Sequence, residues 1–128
     1  MAFLAQMLSM ARYTHDLTVA VPLSQFYEQV KEVLKACSFE VLYFKEDFVV
    51  AREMPGNIPF SRLVTVEIFV DSTRATQDIT HLNVVVKNEE LPLQANNHCY
   101  QMYEKLNQAI ADNKGWNLIK STLENSLG

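Results

Sequence analysis

The sequence predicts a single α+β domain in which two amphipathic helices cover one face of an antiparallel sheet of about five strands. Its 128 residues, 48% hydrophobic and 20% charged, are enough to bury one core without disulfides or metals. Apolar residues recur at helical spacing in two segments. Between these segments, β-branched and aromatic residues alternate with polar ones, as in half-buried strands. We therefore expect residues 1–128 to form one domain.

The first elements are a helical segment, a strand and a helix. Residues 1–13 are predicted to be helical because their apolar side chains share one helical face. A short strand is predicted at 17–21, and Pro22 ends it because proline has no N–H for the ladder. Ser24 is a favoured N-cap for the helix that follows. Its apolar stripe consists of Phe26, Val30, Val33, Leu34 and Cys37.

Four strands are predicted next, at 39–44, 48–52, 62–70 and 79–87. The first two form a hairpin across the polar turn 45–47, and the loop 54–60 carries the turn signal Pro55-Gly56. After the fourth strand, Glu89 and Glu90 are expected to belong to a solvated connector.

A second helix and a helical tail complete the prediction. The apolar stripe of the helix consists of Cys99, Met102, Tyr103, Leu106 and Ile110, and Gly115 is suited to end it. The tail, 116–128, keeps helical spacing through Trp116, Ile119, Leu123 and Leu127. The order β-α-β-β-β-β-α over residues 17–113 resembles the topology shared by TATA-box-binding-protein-like and helix-grip folds. A likeness in element order does not carry function.

The sheet face away from the helices is too apolar for a simple solvated surface. We expect a three-residue turn at 45–47, which pairs Phe44 with Phe48 and Leu42 with Val50. The alternative two-residue turn, Glu46-Asp47, lacks the glycine that such turns favour. The expected register places eight apolar residues on this outer face: Leu42, Phe44, Phe48, Val50, Leu63, Phe69, Ile79 and Val85. Such a patch is typical of a binding surface, unless the terminal helical segments cover it.

Composition and motifs exclude several functional classes from our expectations. The net charge of −4, with scattered Lys and Arg, argues against a nucleic-acid partner. The sequence has no metal, phosphate or nucleophile motif, so we expect no cofactor and no metal. Cys37 and Cys99 are expected to be buried thiols in a reducing compartment. Without an apolar run long enough to span a bilayer, a cytoplasmic location without a membrane span is expected.

Three functional hypotheses remain. The leading one is a non-enzymatic module that binds a protein partner, or forms a homo-oligomer, through the outer face and His81 or through Ile58 and Phe60 of the 54–60 loop. The second is a carrier of a small apolar ligand, held between the sheet and the C-terminal helix near Tyr43, His81, Tyr100 and Tyr103. The third is an enzyme that uses His81 with Glu67 as acid and base.

Overall fold

A computed structural model describes residues 10–90 and 97–125 of the chain. It confirms an α+β fold with one antiparallel sheet and two helices. The elements in chain order are β1 (Arg12–Ala20), α1 (Leu23–Ala36), β2 (Phe39–Lys45), β3 (Phe48–Glu53), a short 3-10 turn (Phe60–Arg62), β4 (Thr65–Val70), β5 (Thr80–Lys87), α2 (His98–Asp112) and β6 (Asn117–Asn125). Most of the predicted N-terminal helical segment, residues 1–9, lies outside the described residues, and Arg12 and Tyr13 at its end belong to β1 instead.

The sheet has six strands in the order β2-β3-β4-β5-β1-β6, where about five were expected. β2 to β5 follow one another as an antiparallel meander. The first strand, β1, pairs with β5 on one side and with β6 on the other. Helix α1 connects β1 to β2, and helix α2 connects β5 to β6. Both helices pack on the same side of the sheet, because residues of both belong to one core.

One hydrophobic core joins both helices to the sheet. Phe26 and Leu34 of α1 and Leu106 of α2 are almost fully buried, as predicted from their helical spacing. Trp116, just after α2, stacks on Phe26 with ring centroids 5.8 Å apart. Its indole N–H donates to the carbonyl of Ile110 at 2.9 Å, so the connection to β6 is fixed to the end of α2.

The prediction of a helical tail at 116–128 is wrong. Residues Asn117–Asn125 form β6, which pairs with β1 over nearly its whole length. Leu118, opposite Val19, packs against the core, while Ile119, which lies at a β-bulge in this pairing, is 55% exposed. Helical spacing of a few apolar residues was outweighed by the backbone hydrogen bonds that the exposed edge of β1 offers.

The expected register of the β2–β3 hairpin is also wrong. The turn has two residues, Glu46 and Asp47, because Lys45 pairs with Phe48. A β-bulge at Leu42 then pairs Glu40 with Arg52 further along the strands, which is also the pairing that the expected three-residue turn would give there. The bulge inserts one extra residue, which reverses the side-chain alternation between the two halves of β2.

Candidate functional site on the outer face of the sheet

Three aromatic side chains from neighbouring strands lie side by side on the face of the sheet opposite the helices. Tyr43 of β2, Phe48 of β3 and Phe69 of β4 form this group, which we call the outer aromatic cluster. The rings of Phe48 and Phe69 stack with centroids 4.8 Å apart, and those of Tyr43 and Phe48 are 5.8 Å apart. Tyr43 and Phe69 are 45% and 44% exposed, so the cluster is an accessible apolar surface.

The bulge in β2 creates this cluster. Without the extra residue, Tyr43 would point toward the helices like Val41, two positions before it. With the bulge, Tyr43 lies opposite Val50, on the outer face, and Leu42 beside it is 56% exposed. The bulge therefore turns Tyr43 toward solvent beside Leu42, which regular alternation already places on the outer face, and extends the cluster to the edge of the sheet.

Charged and polar side chains border the cluster. Lys45 lies next to Phe48 in the register of β2 and β3. Glu67 of β4 forms an ion pair with Lys87 of β5, with 3.0 Å between Oε1 and Nζ. An apolar centre with a charged border is the usual arrangement of a protein interface.

Five of the predicted binding residues lie on or near this surface. Leu42 and Phe69 are exposed, and Phe48, Val50 and His81 are partly buried, all in outer positions of their strands. The predicted position of Phe44 is wrong. Because the bulge shifts the alternation, its ring lies on the helix side, 4.9 Å from the ring of Tyr27 and 4.6 Å from Nζ of Lys31.

Leu63 and Val85 were expected to be exposed on the outer face, and both expectations are wrong. Leu63 is 6% exposed; it precedes β4 and closes the 3-10 turn, donating its N–H to the carbonyl of Phe60. Val85 does occupy an outer position, but it is only 1% exposed. It lies in a central strand between Thr14 and Glu67, and it does not belong to the core that packs against the helices.

The loop 54–60 presents a second, smaller apolar feature. Phe60 is 74% exposed, and the guanidinium of Arg52 lies 5.5 Å from the centre of its ring. Ile58 is partly buried, and Met54 is 48% exposed. The loop therefore offers isolated apolar side chains, whereas the outer aromatic cluster offers a contiguous surface.

His81 and Glu67 do not form a pair. They lie on the same face of neighbouring strands, but Glu67 is opposite Val85, which is four positions from His81 along β5. At about 3.3 Å per residue, this separates them by roughly 13 Å along the strand. His81 is instead hydrogen-bonded to Thr18 (3.1 Å), on one wall of an open groove of about 450 Å³ that Phe69 also lines.

A buried polar network at the start of α2 was not predicted. Nε2–H of His98 donates to the carboxylate of Glu53, at 2.8 and 2.9 Å from the two oxygens, and both side chains are about nine-tenths buried. Glu53 also accepts from the N–H of Val64 at 3.2 Å. The two partners are 45 positions apart. Only the fold brings them together, and neither residue stands in a motif that would have pointed to the other.

Glu90, expected in a solvated connector, is the centre of this network and is 7% exposed. Its carboxylate accepts from the N–H groups of His98 (3.1 Å) and Cys99 (2.8 Å) at the first turn of α2, and from Arg62 (3.1 Å). Burial alone would raise the pKa of Glu90, but the hydrogen bonds from Asn88, Cys99, His98 and Arg62 outweigh burial and lower it. The network satisfies the free N–H groups at a helix start, which is a structural role.

The two cysteines and the possible metal ligands among the described residues can be assessed from burial and geometry. Burial, together with the charges of Glu90 and Glu53, raises the pKa of Cys99 to about 12, and burial also raises that of Cys37. Both thiols therefore stay protonated near neutral pH and are poor nucleophiles. Within residues 10–90 and 97–125, no three His, Cys, Asp or Glu side chains converge in a way that could hold a metal ion.

Among the residues that the structure describes, one small cavity lies between the helices and the sheet. The cavity there, lined by Val30, Ile68, Leu106 and neighbouring core residues, has a volume of about 10 Å³. A drug-sized ligand needs a pocket of roughly 300 Å³ or more, and this cavity holds about one water molecule. In the part of the chain that the structure describes, neither helix is long and apolar enough to cross a membrane.

Comparison with known proteins gives no family assignment. No protein-family model matches the chain, and a search of curated proteins gives no match.

Proposed function

We propose that this chain is a non-enzymatic binding module that contacts a partner protein through the outer aromatic cluster. The observation that carries the proposal is the bulge at Leu42, which turns Tyr43 outward to join Phe48 and Phe69. Edge bulges commonly re-aim a side chain toward a functional surface. Tyrosine and phenylalanine are enriched in interface centres, where they bury a large apolar area at a small cost in side-chain entropy.

The expected partner surface is apolar at its centre and carries both signs of charge at its border. Lys45 and the Glu67–Lys87 pair border the cluster, so matching charges on the partner would set its orientation. The packing among the described residues argues for this proposal over a ligand carrier, because the cavity that Val30, Ile68 and Leu106 line is only about 10 Å³. The separation of His81 from Glu67 similarly argues against the acid–base pair as a catalytic centre.

The fold resemblance remains part of the proposal. The β2-to-β5 meander with β1 beside β5, and one helix after each of β1 and β5, supports a topology like that of TATA-box-binding-protein-like folds. The additional strand β6 lies outside the predicted pattern. This resemblance concerns architecture alone.

A comparison of three charge variants tests the binding surface. Phe69→Glu places a charge in the outer aromatic cluster at a position that is 44% exposed, so folding should be preserved. Phe60→Glu does the same in the 54–60 loop, and Glu32→Lys is a control on the exposed side of α1. Each tagged protein is used to capture proteins from a lysate of the source organism, and captured proteins are quantified by mass spectrometry. Candidates are then purified and titrated calorimetrically.

The proposal predicts at least one purified protein that binds wild type, Phe60→Glu and Glu32→Lys alike, and binds Phe69→Glu about tenfold or more weakly. Equal binding of a genuine partner by Phe69→Glu and wild type would refute the outer cluster as the contact. If only Phe60→Glu lost binding, the contact would lie in the 54–60 loop instead.

A further inference from the structure

Strand β2 forms one edge of the described sheet, and most of it is exposed. Among the described strands it pairs only with β3. Leu42, Tyr43 and Phe44 are 56%, 45% and 38% exposed, an unusually apolar composition for an edge. An exposed apolar edge is a template for pairing with another strand unless its geometry prevents it.

The bulge restricts which strand can pair with this edge. A regular strand would fall out of step with β2 at Leu42, because one strand has an extra residue and the other does not. A second copy of β2 carries the same extra residue. In an antiparallel pair of two β2 strands, Leu42 of each copy can lie opposite Tyr43 of the other, so the two irregularities compensate.

The same register matches side-chain faces and charges from Glu40 to Lys45. It places Val41 opposite Phe44 of the other copy, and both point to the helix side, since their partners in β3 are the buried Ala51 and Val49. It also places Glu40 opposite Lys45 of the other copy, both on the outer face. In a regular strand, positions five apart point to opposite faces, so only the bulge allows this pairing.

From these observations we infer that the chain forms a symmetric homodimer by antiparallel pairing of two β2 edges. Two Glu40–Lys45 ion pairs flank the centre of the interface, where Leu42 and Tyr43 of the two copies meet. The dimer joins two sheets into one and brings the two outer aromatic clusters next to each other. It rests on the edge of the sheet and does not depend on the partner proposed for its face.

Charge exchange between the copies tests this register. In a dimer of Glu40→Lys, two pairs of lysines would face each other across the interface, and in a dimer of Lys45→Glu, two pairs of glutamates would do so. A mixture of the two single variants restores both attractions. In each heterodimer, one copy carries lysine at both positions and the other carries glutamate at both, so each facing pair has opposite charges. Glu32→Lys, exposed on α1, is the control.

Masses are measured by sedimentation velocity over a wide concentration range and by native mass spectrometry. Wild type and Glu32→Lys should reach twice the chain mass of 14.7 kDa at high concentration. Each β2 single variant should raise the dimer dissociation constant about tenfold or more, and the mixture should give heterodimers with an affinity near that of wild type. Circular dichroism establishes that each variant is folded.

Three results would overturn the inference: a wild type that stays monomeric, single variants that dimerise like wild type, or a mixture of folded variants that forms no heterodimer. Phe69→Glu should leave the dimer intact, because Phe69 lies on β4. A failure of the dimer is thereby distinguished from a failure of the proposed partner surface.

Discussion

Replacing Glu90 by glutamine should be one of the most destabilising conservative changes in this chain. One carboxylate oxygen accepts from Asn88 and from the N–H of Cys99, and the other accepts from the N–H of His98 and from Arg62. Glutamine keeps the shape of the side chain but turns one of these acceptors into a donor. Whichever way the amide is oriented, two of the four donors then face an N–H group.

The magnitude follows from these contacts. A buried donor left without an acceptor costs about 1–3 kcal/mol. Arg62, whose side chain is 40% exposed, can turn partly toward water and reduces the loss in one of the two orientations. We therefore expect the free energy of unfolding to fall by about 2–4 kcal/mol, out of the roughly 5–15 kcal/mol typical of a domain. The corresponding decrease in Tm is about 10 °C for a chain of this length.

Urea unfolding followed by circular dichroism measures this change, and the neighbouring residue supplies a matched control. Glu89 is exposed, so Glu89→Gln should alter the free energy of unfolding by no more than about 0.5 kcal/mol. If Glu90→Gln and Glu89→Gln unfold at the same urea concentration, Glu90 does not hold the start of α2 and the network is not structurally important.

Two further predictions concern a buried histidine and a strained backbone position. Burial lowers the pKa of His15 despite its 2.6 Å hydrogen bond to Asn107, so below about pH 6.5 the unfolded chain binds the proton more readily. The free energy of unfolding, measured by urea titration, should therefore fall as the pH decreases from about 7.5 to 5.5. The variant His15→Gln should lose this part of the pH dependence. An unchanged pH dependence in the variant would refute the prediction. Ser38, between α1 and β2, has a φ of 65°, a backbone conformation that favours glycine. Ser38→Gly should therefore raise the free energy of unfolding by about 0.5–1 kcal/mol in urea titrations. A variant less stable than wild type would contradict this prediction.

Local sequence patterns correctly predicted the helices and strands in which the buried side chains recur at a regular spacing. The stripe that contains Phe26 and Leu34 gave α1, and that of Met102 and Leu106 gave α2, because an amphipathic helix carries its whole signal within its own residues. The alternation around Val84 gave β5 in the same way. These are also the residues that form the core, so the layered arrangement was predictable.

Features decided by distant partners were not predictable. The segment of β6 has the spacing of a helix, and only the free edge of β1, about a hundred positions earlier, makes it a strand. The bulge at Leu42 has no sequence signature, yet it decides that Tyr43 faces outward and Phe44 inward. The outer face was therefore predicted in its general apolar character, but several of its residues were misplaced. Glu53 and His98 were missed since each is unremarkable until the fold brings them together.

The position of β1 between β5 and β6 has a consequence for the order in which the protein folds. The meander from β2 to β5 joins strands that are neighbours in the chain, so its loops close at a small entropic cost. β1 must wait for β5, some sixty positions later, and β6 needs β1 already in place. During synthesis, the first strand to leave the ribosome is among the last to find its partners. Non-local pairing of this kind slows folding, and the unpaired apolar side of β1 stays exposed until β5 has been made.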